Sequence, residues 1–254
     1  MKKYSFLLLF GLFLFACQSP QNESQNSGDS TNESATTPSS DKVAIKIADE
    51  VMEAMGGLEN WNNTQFISWS FFGNRKHTWD KKTGNIRIES PKDSMVYLMN
   101  VNDMTGKIIQ GDKEITHPDS LQKYLKRGKS IWINDSYWLV MPFKLKDPGV
   151  TLKYLGEDQN QEGIPSDILE LTFSNVGDTP NNKYHVMVDK DTRLVNEWSF
   201  FSDKADTEPR FVMPWKDYNP YGNILLSGDR GKAYLSAIAV YDNLPGKIFT
   251  DFEK

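Results

Sequence analysis

The sequence predicts a mainly β fold of the α+β class: a curved antiparallel sheet, or incomplete β-barrel, with an N-terminal helix and a helical lid insertion. Three observations predict it. Short apolar runs recur from residue 66 to 252 and are separated by brief turn-forming stretches. Two segments, one at the start and one near the middle, replace that alternation with helical spacing. Aromatic residues make up 12% of the chain, and many are Trp and Phe inside the alternating runs, where pleated surfaces favour them.

The first element is a helix over 42–55. Ala44, Ile47, Ala48, Val51 and Met55 recur at spacings of three and four, Ser40 or Asp41 can cap it, and Gly56-Gly57 ends it. Strands follow at 66–73, 75–80, 85–90, 94–101 and 106–110. Ile67, Trp69 and Phe71 share one face of the first, and Met95, Tyr97 and Met99 share one face of the fourth. The separators GN, KKTG, PKD and NDMTG are turn chemistry, so these strands form an antiparallel meander. Residues 117–139 carry Leu121, Tyr124, Leu125, Trp132 and Leu139 at helical spacing. Pro118 suits the first turn, and Gly128 weakens the helix by about 1 kcal/mol relative to Ala and marks a place where it can break. Pro142 and Pro148 take 141–149 out of the helix. Strands resume at 150–156, 167–173, 183–189, 193–201, 210–215, 223–227, 234–241 and 247–252, which makes eleven to thirteen in all.

The residues before the first helix have a separate character. Residues 1–16 read as a signal peptide: Lys2 and Lys3 are a positive start, Phe6 to Phe15 an apolar stretch too short to span a bilayer, and Ala16 the small residue before the cut. Cys17 is the only cysteine in the 254 residues, so no intrachain disulfide exists. Leu14-Phe15-Ala16-Cys17 resembles the lipobox of bacterial lipoproteins. That resemblance implies that the Cys17 thiol carries a diacylglyceryl group, that acyl chains such as palmitate hold the protein to a membrane, and that Cys17 becomes the new N-terminus. Residues 17–41 are then the lipidated cysteine and a linker. From 18 to 40 no aliphatic, aromatic or sulphur side chain occurs apart from Ala35, a composition that cannot repay ordering entropy. Gln18 stands where the family's sorting rule puts Asp for inner-membrane retention, which implies the outer membrane and leaves the leaflet open. Residues 42–254 are expected as a single β-rich domain.

Charge and motifs exclude several functions. The formal net charge is −5, and losing Lys2 and Lys3 leaves −7, so nothing draws the chain to nucleic acid. His77, His117 and His185 lack metal-ligand spacing, although a site drawing on all three in space is not excluded by spacing. No G-x-S-x-G elbow, phosphate loop or dinucleotide fingerprint occurs, and neither an enzyme activity nor a cofactor is expected. LLSGDRG at 225–231 reads as a strand ending in a turn, and DKDTR at 189–193 as a hairpin turn with Asp at its corners.

The remaining signal is apolar. Trp69, Phe71, Trp79, Tyr97, Trp132, Trp138, Phe143 and Trp198 are candidates to line a cavity for an apolar or amphipathic ligand. The alternative is a filled core and an outer surface that joins an envelope assembly, with protein partners unspecified. In order of elements the chain resembles the lipoprotein-localisation factor superfamily, the periplasmic carrier LolA and its outer-membrane receptor LolB. YWLVMPFKLKDPG at 137–149 also resembles a stretch common in bacterial lipoproteins of that architecture. The resemblance implies a half-open barrel interrupted by lid helices, and a concavity that takes a lipid or lipoprotein acyl chain. Arg87 in NIRIES lies in the neighbourhood of the carrier's arginine-containing strand motif, and no functional residue is carried over. Gly128 or the Pro142–Pro148 stretch is the expected hinge of the lid.

Overall fold

A computed structural model describes residues 39–174 and 177–253. The signal peptide, Cys17 and nearly all of the linker lie outside the described residues. Ser40 and Asp41, at the linker's end, are bonded into the folded body.

Helix α1 (Lys42–Ala54) begins where Asp41 caps it, its Oδ1 accepting from the Ala44 N–H at 2.7 Å. The other carboxylate oxygen accepts from the Tyr154 N–H at 2.6 Å, and Ser40 Oγ accepts from the Leu152 N–H at 2.9 Å. One carboxylate thus caps the helix and docks it on a strand. The Tyr154 bond, with the cap bond second, holds the Asp41 carboxyl below its usual range. The face predicted from spacing is the buried one: Ala44, Ile47, Ala48, Val51 and Met55 are all in the core. At Gly56 φ is +112°, and a Cβ would lie 2.3 Å from the Asn223 carbonyl oxygen, so only glycine permits this approach. Instead of a loop, a short helix α2 (Gly57–Asn63) follows.

Fourteen strands occur among the described residues. The first six are β1 (Phe66–Phe71), β2 (Arg75–Asp80), β3 (Asn85–Ser90), β4 (Met95–Asn100), β5 (Gly106–Gln110) and β6 (Lys113–Glu114). Helix α3 (Pro118–Val140) comes next, and a 3-10 turn at Met141–Lys144 ends it at Pro142. Then come β7 (Val150–Gln159), β8 (Pro165–Phe173), β9 (Lys183–Asp189), β10 (Val195–Phe201), β11 (Phe211–Pro214), β12 (Lys216–Tyr221), β13 (Ile224–Asp229) and β14 (Leu235–Tyr241). They form a seven-stranded antiparallel sheet in the order β14-β1-β2-β3-β4-β5-β6, a five-stranded one in the order β11-β10-β9-β8-β7, and the hairpin β12-β13. The architecture is a set of curved antiparallel sheets with a few helices, and no barrel closes. A helix, a run of strands, a helical insertion and more strands follow one another in the order expected.

Two expectations are corrected. The helix does not break at Gly128. A Cβ there would meet Met99 Sδ at 2.8 Å and Tyr97 Cδ1 at 2.9 Å, so the glycine serves the close packing of α3 on β4. Residues 247–252 are not a strand. Lys247–Thr250 form a helical turn, α4, whose closing carbonyls at Ile248, Asp251 and Phe252 accept from the buried Arg87 guanidinium at 3.1, 2.7 and 2.9 Å. KDYNPY forms a strand despite Pro220, because β12 pairs on one side only and needs no donor there. The helical insertion, α3, packs into the core through Leu125 and Leu139.

Two apolar clusters show how. One joins α1, the end of α3 and both large sheets through residues such as Trp69, Leu139, Phe143, Leu171, Val186 and Trp198. The other packs Leu125 of α3 against Ile86, Ile88, Met95, Tyr97 and Ile108 of the seven-stranded sheet. Trp79 and Trp132 touch both, and their rings meet edge-on at 5.3 Å. Arg230 locks the far end of α3. Fully buried over the Trp215 ring, it donates to the Trp138 carbonyl at 2.8 Å, where the helix dipole favours a cation.

Candidate functional site

A cavity of about 660 Å³ opens between the C-terminal half of α3, the 144–150 turn and the five-stranded sheet. Its floor follows from strand register. Tyr184 of β9 pairs with Phe200 of β10, and Phe200 pairs with Phe211 of β11, so three rings stand in a row across neighbouring strands. Tyr184 and Phe200 lie 5.4 Å apart, and Phe200 and Phe211 lie 5.1 Å apart. Phe173 of β8 extends the row, 5.7 Å from Tyr184. Trp198, two residues before Phe200 and so on the same face, stacks on Tyr184 at 5.1 Å.

Helix α3 supplies the opposite wall. Ser130, Ile133, Asn134 and Tyr137 recur at spacings of three and four and line the cavity, with Trp132, Ser136 and Trp138 flanking them. Trp138 meets Trp198 edge-on at 4.7 Å and lies nearly parallel to Phe211 at 5.8 Å. At the rim Lys144 pairs with Asp147, and Asp178, Thr179 and Asn182 come from the loop before β9. Burial holds the Tyr137 phenol well above its ordinary value and raises Tyr184 as well, so both stay neutral. Trp132 Nε1, Tyr137 Oη and Trp198 Nε1 are covered by neighbouring atoms and have no hydrogen-bond partner among the described residues.

Of the eight residues expected at a cavity, Trp132, Trp138 and Trp198 line this one. The other five lie elsewhere. Trp69 is fully buried and stacks on His77 at 4.6 Å, and Phe71 stacks on Phe72 at 4.1 Å. Tyr97 lies fully buried under Gly128, and Trp79 packs against Trp132. Phe143, flanked by prolines, is buried and stacked on Trp61 of α2 at 4.2 Å, which makes it a core anchor rather than part of a moving cover. Tyr137, Phe173, Tyr184 and Phe211 were not expected here. For Phe173, Tyr184 and Phe211 the signal is the row of rings across neighbouring strands, which becomes visible only when the register of β8 to β11 is known, and for Tyr137 it is the spacing of three and four with Ile133 and Ser130 along α3.

The three histidines are far from sharing a site. His77, 1% exposed, bonds through Nε2 to Asp135 Oδ2 at 2.7 Å. Asp135, fully buried in the C-terminal half of α3, also takes the Arg75 guanidinium on both oxygens, at 2.6 and 2.9 Å. His185 faces Glu170 at 3.3 Å on the five-stranded sheet, and His117 precedes the first turn of α3. Among the described residues no group of three or more His, Cys, Asp or Glu side chains could hold a metal ion. DKDTR is a turn: Asp189 Oδ1 accepts from the Asp191 and Thr192 N–H groups at 2.8 Å each.

No family model matches the chain, and no curated protein matches it. Among solved structures it is similar to a DUF1329 family protein from Desulfovibrio piger ATCC 29098, at 13% identity and a TM-score of 0.45, over 82% of this chain and 97% of that one. A LolA superfamily protein from Nitrosomonas europaea aligns over the same shares, at 10% identity and a TM-score of 0.37. MucB, solved in complex with MucA(peri), aligns at 12% identity and a TM-score of 0.24, over 82% of this chain and 59% of that one. At these values no residue's role is carried over.

Proposed function

We propose that this protein is a lipid-anchored component of the bacterial cell envelope that binds an apolar or amphipathic ligand, a lipid or lipoprotein acyl chain among the candidates, in the cavity between α3 and the five-stranded sheet. The anchor reading rests on Cys17 directly after the apolar leader and on the lipobox resemblance. The outer membrane is the proposed location, and attachment through Cys17 is the proposed contact with it. The observation that carries the binding reading is the cavity. It is open, about 660 Å³, and walled on two sides by side chains that a filled core would have packed together. A ligand that buried about 200–300 Å² of apolar surface there would gain on the order of 5–7 kcal/mol from desolvation, before the cost of association is subtracted.

The rival reading, an interaction module without a ligand, draws on the other side of α3, where the face of the seven-stranded sheet is filled by Leu125, Gly128 and Leu139. The two readings part on uptake of an uncharged environment-sensitive probe. N-phenylnaphthylamine should brighten on mixing with the wild-type protein, and Phe200→Asp, which puts a charge on the cavity floor, should weaken its binding at least tenfold. If the wild type leaves its emission unchanged over that concentration range, the module reading stands instead.

A further inference from the structure

We infer that the cavity selects for cations: its preferred ligands enter with a quaternary or alkylammonium end. This rests on the reading that the cavity is a ligand site. Three features of its lining point the same way.

The first is the kind of apolar surface. The walls are aromatic rings more than aliphatic chains. Tyr184, Phe200 and Phe211 stand in a row on the floor, with the indoles of Trp132, Trp138 and Trp198 opposite and beside them. An aromatic face carries the negative lobe of a quadrupole, so it attracts a cation, whereas an aliphatic wall is indifferent to charge. Indoles are the strongest of these acceptors.

The second is what the rings do not offer. Indole N–H and phenol O–H groups would welcome an anion or a carbonyl. Trp132 Nε1, Tyr137 Oη and Trp198 Nε1 are all covered by neighbouring atoms, so these three donors do not reach the open space. An anionic ligand end would have to rely on polar side chains such as Lys144, Thr179 and Asn182 rather than on these rings.

The third is the charge at the rim. The charged side chains in the lining are one lysine, Lys144, and two aspartates, Asp147 and Asp178. Lys144 is paired with Asp147, which leaves the rim with one net negative charge at Asp178. A cation passing this rim is drawn in and an anion is repelled, more so at low salt.

The experiment compares three probes with the same decyl tail, each below its micelle-forming concentration and at slightly alkaline pH: decyltrimethylammonium, the near-isosteric uncharged decyldimethylamine N-oxide, and decyl sulfate. The full-length protein should bind the cation at least tenfold more tightly than the N-oxide by calorimetry, and the sulfate most weakly. The double variant Phe200→Leu/Phe211→Leu keeps an apolar wall but removes two ring faces. It should weaken binding of both probes but lower cation affinity several-fold more than N-oxide affinity, so that the ratio between them falls, with circular dichroism confirming an unchanged fold. Equal affinity for the cation and the N-oxide, or an unchanged preference in the double variant, overturns cation selection while leaving the ligand-binding reading intact. Failure of all three probes and of N-phenylnaphthylamine to bind overturns both.

Discussion

Asp135 shows how a single residue can contradict its surroundings and still be explained. It falls on the face of α3 that also carries Leu125, Gly128 and Leu139, where an apolar side chain is expected. Burial alone would push its carboxyl up, but bonds from His77 and Arg75 outweigh this and hold it below its usual range. A buried carboxylate costs several kcal/mol unless paired, so α3 must sit where Asp135 meets β2. The same contact makes stability depend on pH. His77 is held below its usual value of 6.5, chiefly by burial and also by the charge of Arg75, against the upward pull of Asp135. The unfolded chain therefore takes up a proton that the folded one refuses. Stability rises with pH through the window just below 6.5 and is lost as pH falls. His185 acts in the same sense, burial again leading and Glu170 opposing. Each such histidine adds a slope of up to ~1.4 kcal/mol per pH unit. In His77→Gln the slope between about pH 5 and 6.5 should flatten by up to that increment, read from urea midpoints across the range. An unchanged slope would mean that His77 is protonated in the folded state.

At the scale of elements, α3 decides most. It runs unbroken for 23 residues, its first half on the meander and its second half forming one wall of the cavity. Gly128 is where it comes nearest to β4. Replacing Gly128 by Ala removes a helix-propensity penalty of about 1 kcal/mol but drives a Cβ into Met99 and the fully buried Tyr97 ring. The overpacking should win, with a net loss of about 1–2 kcal/mol in chemical denaturation. A gain in stability would show that Met99 and Tyr97 yield. From the sequence Gly128 is a place where the helix can break, because propensity is local, whereas the reason for this glycine lies on a strand about thirty residues away. The meander was legible for the opposite cause. β1 to β5 are joined by turns whose residues announce themselves, and alternation fixes which side faces in. Residues 247–252 lack that alternation, since Ile248, Phe249 and Phe252 fall one and three residues apart, and Lys247–Thr250 form a helical turn. Arg87 supplies the donors their carbonyls need, and Phe249 packs against Phe66 at 6.2 Å.

For the whole molecule, the proposed division is an anchored N-terminus and a folded body that holds the cavity. Cys17→Ser tests the first part. Expressed with its leader in a Gram-negative host, the wild type should partition into the detergent phase, and the variant should remain unprocessed or be released from the membrane. Normal processing and partitioning of the variant would refute lipidation.

Local chemistry in the sequence determined the α+β class, the buried face of α1, the meander and the turns at 189–193 and 225–231, because each rests on neighbours a few residues apart. The tertiary structure alone decided that α3 is core as well as wall, that Phe143 is an anchor, and that Tyr184, Phe200 and Phe211 form one surface. These outcomes depend on contacts between residues distant in the chain, such as Asp135 with His77 and Arg230 with Trp138. Periodicity says which way a side chain points along its own element. Only packing says whether it meets another side chain or an open space.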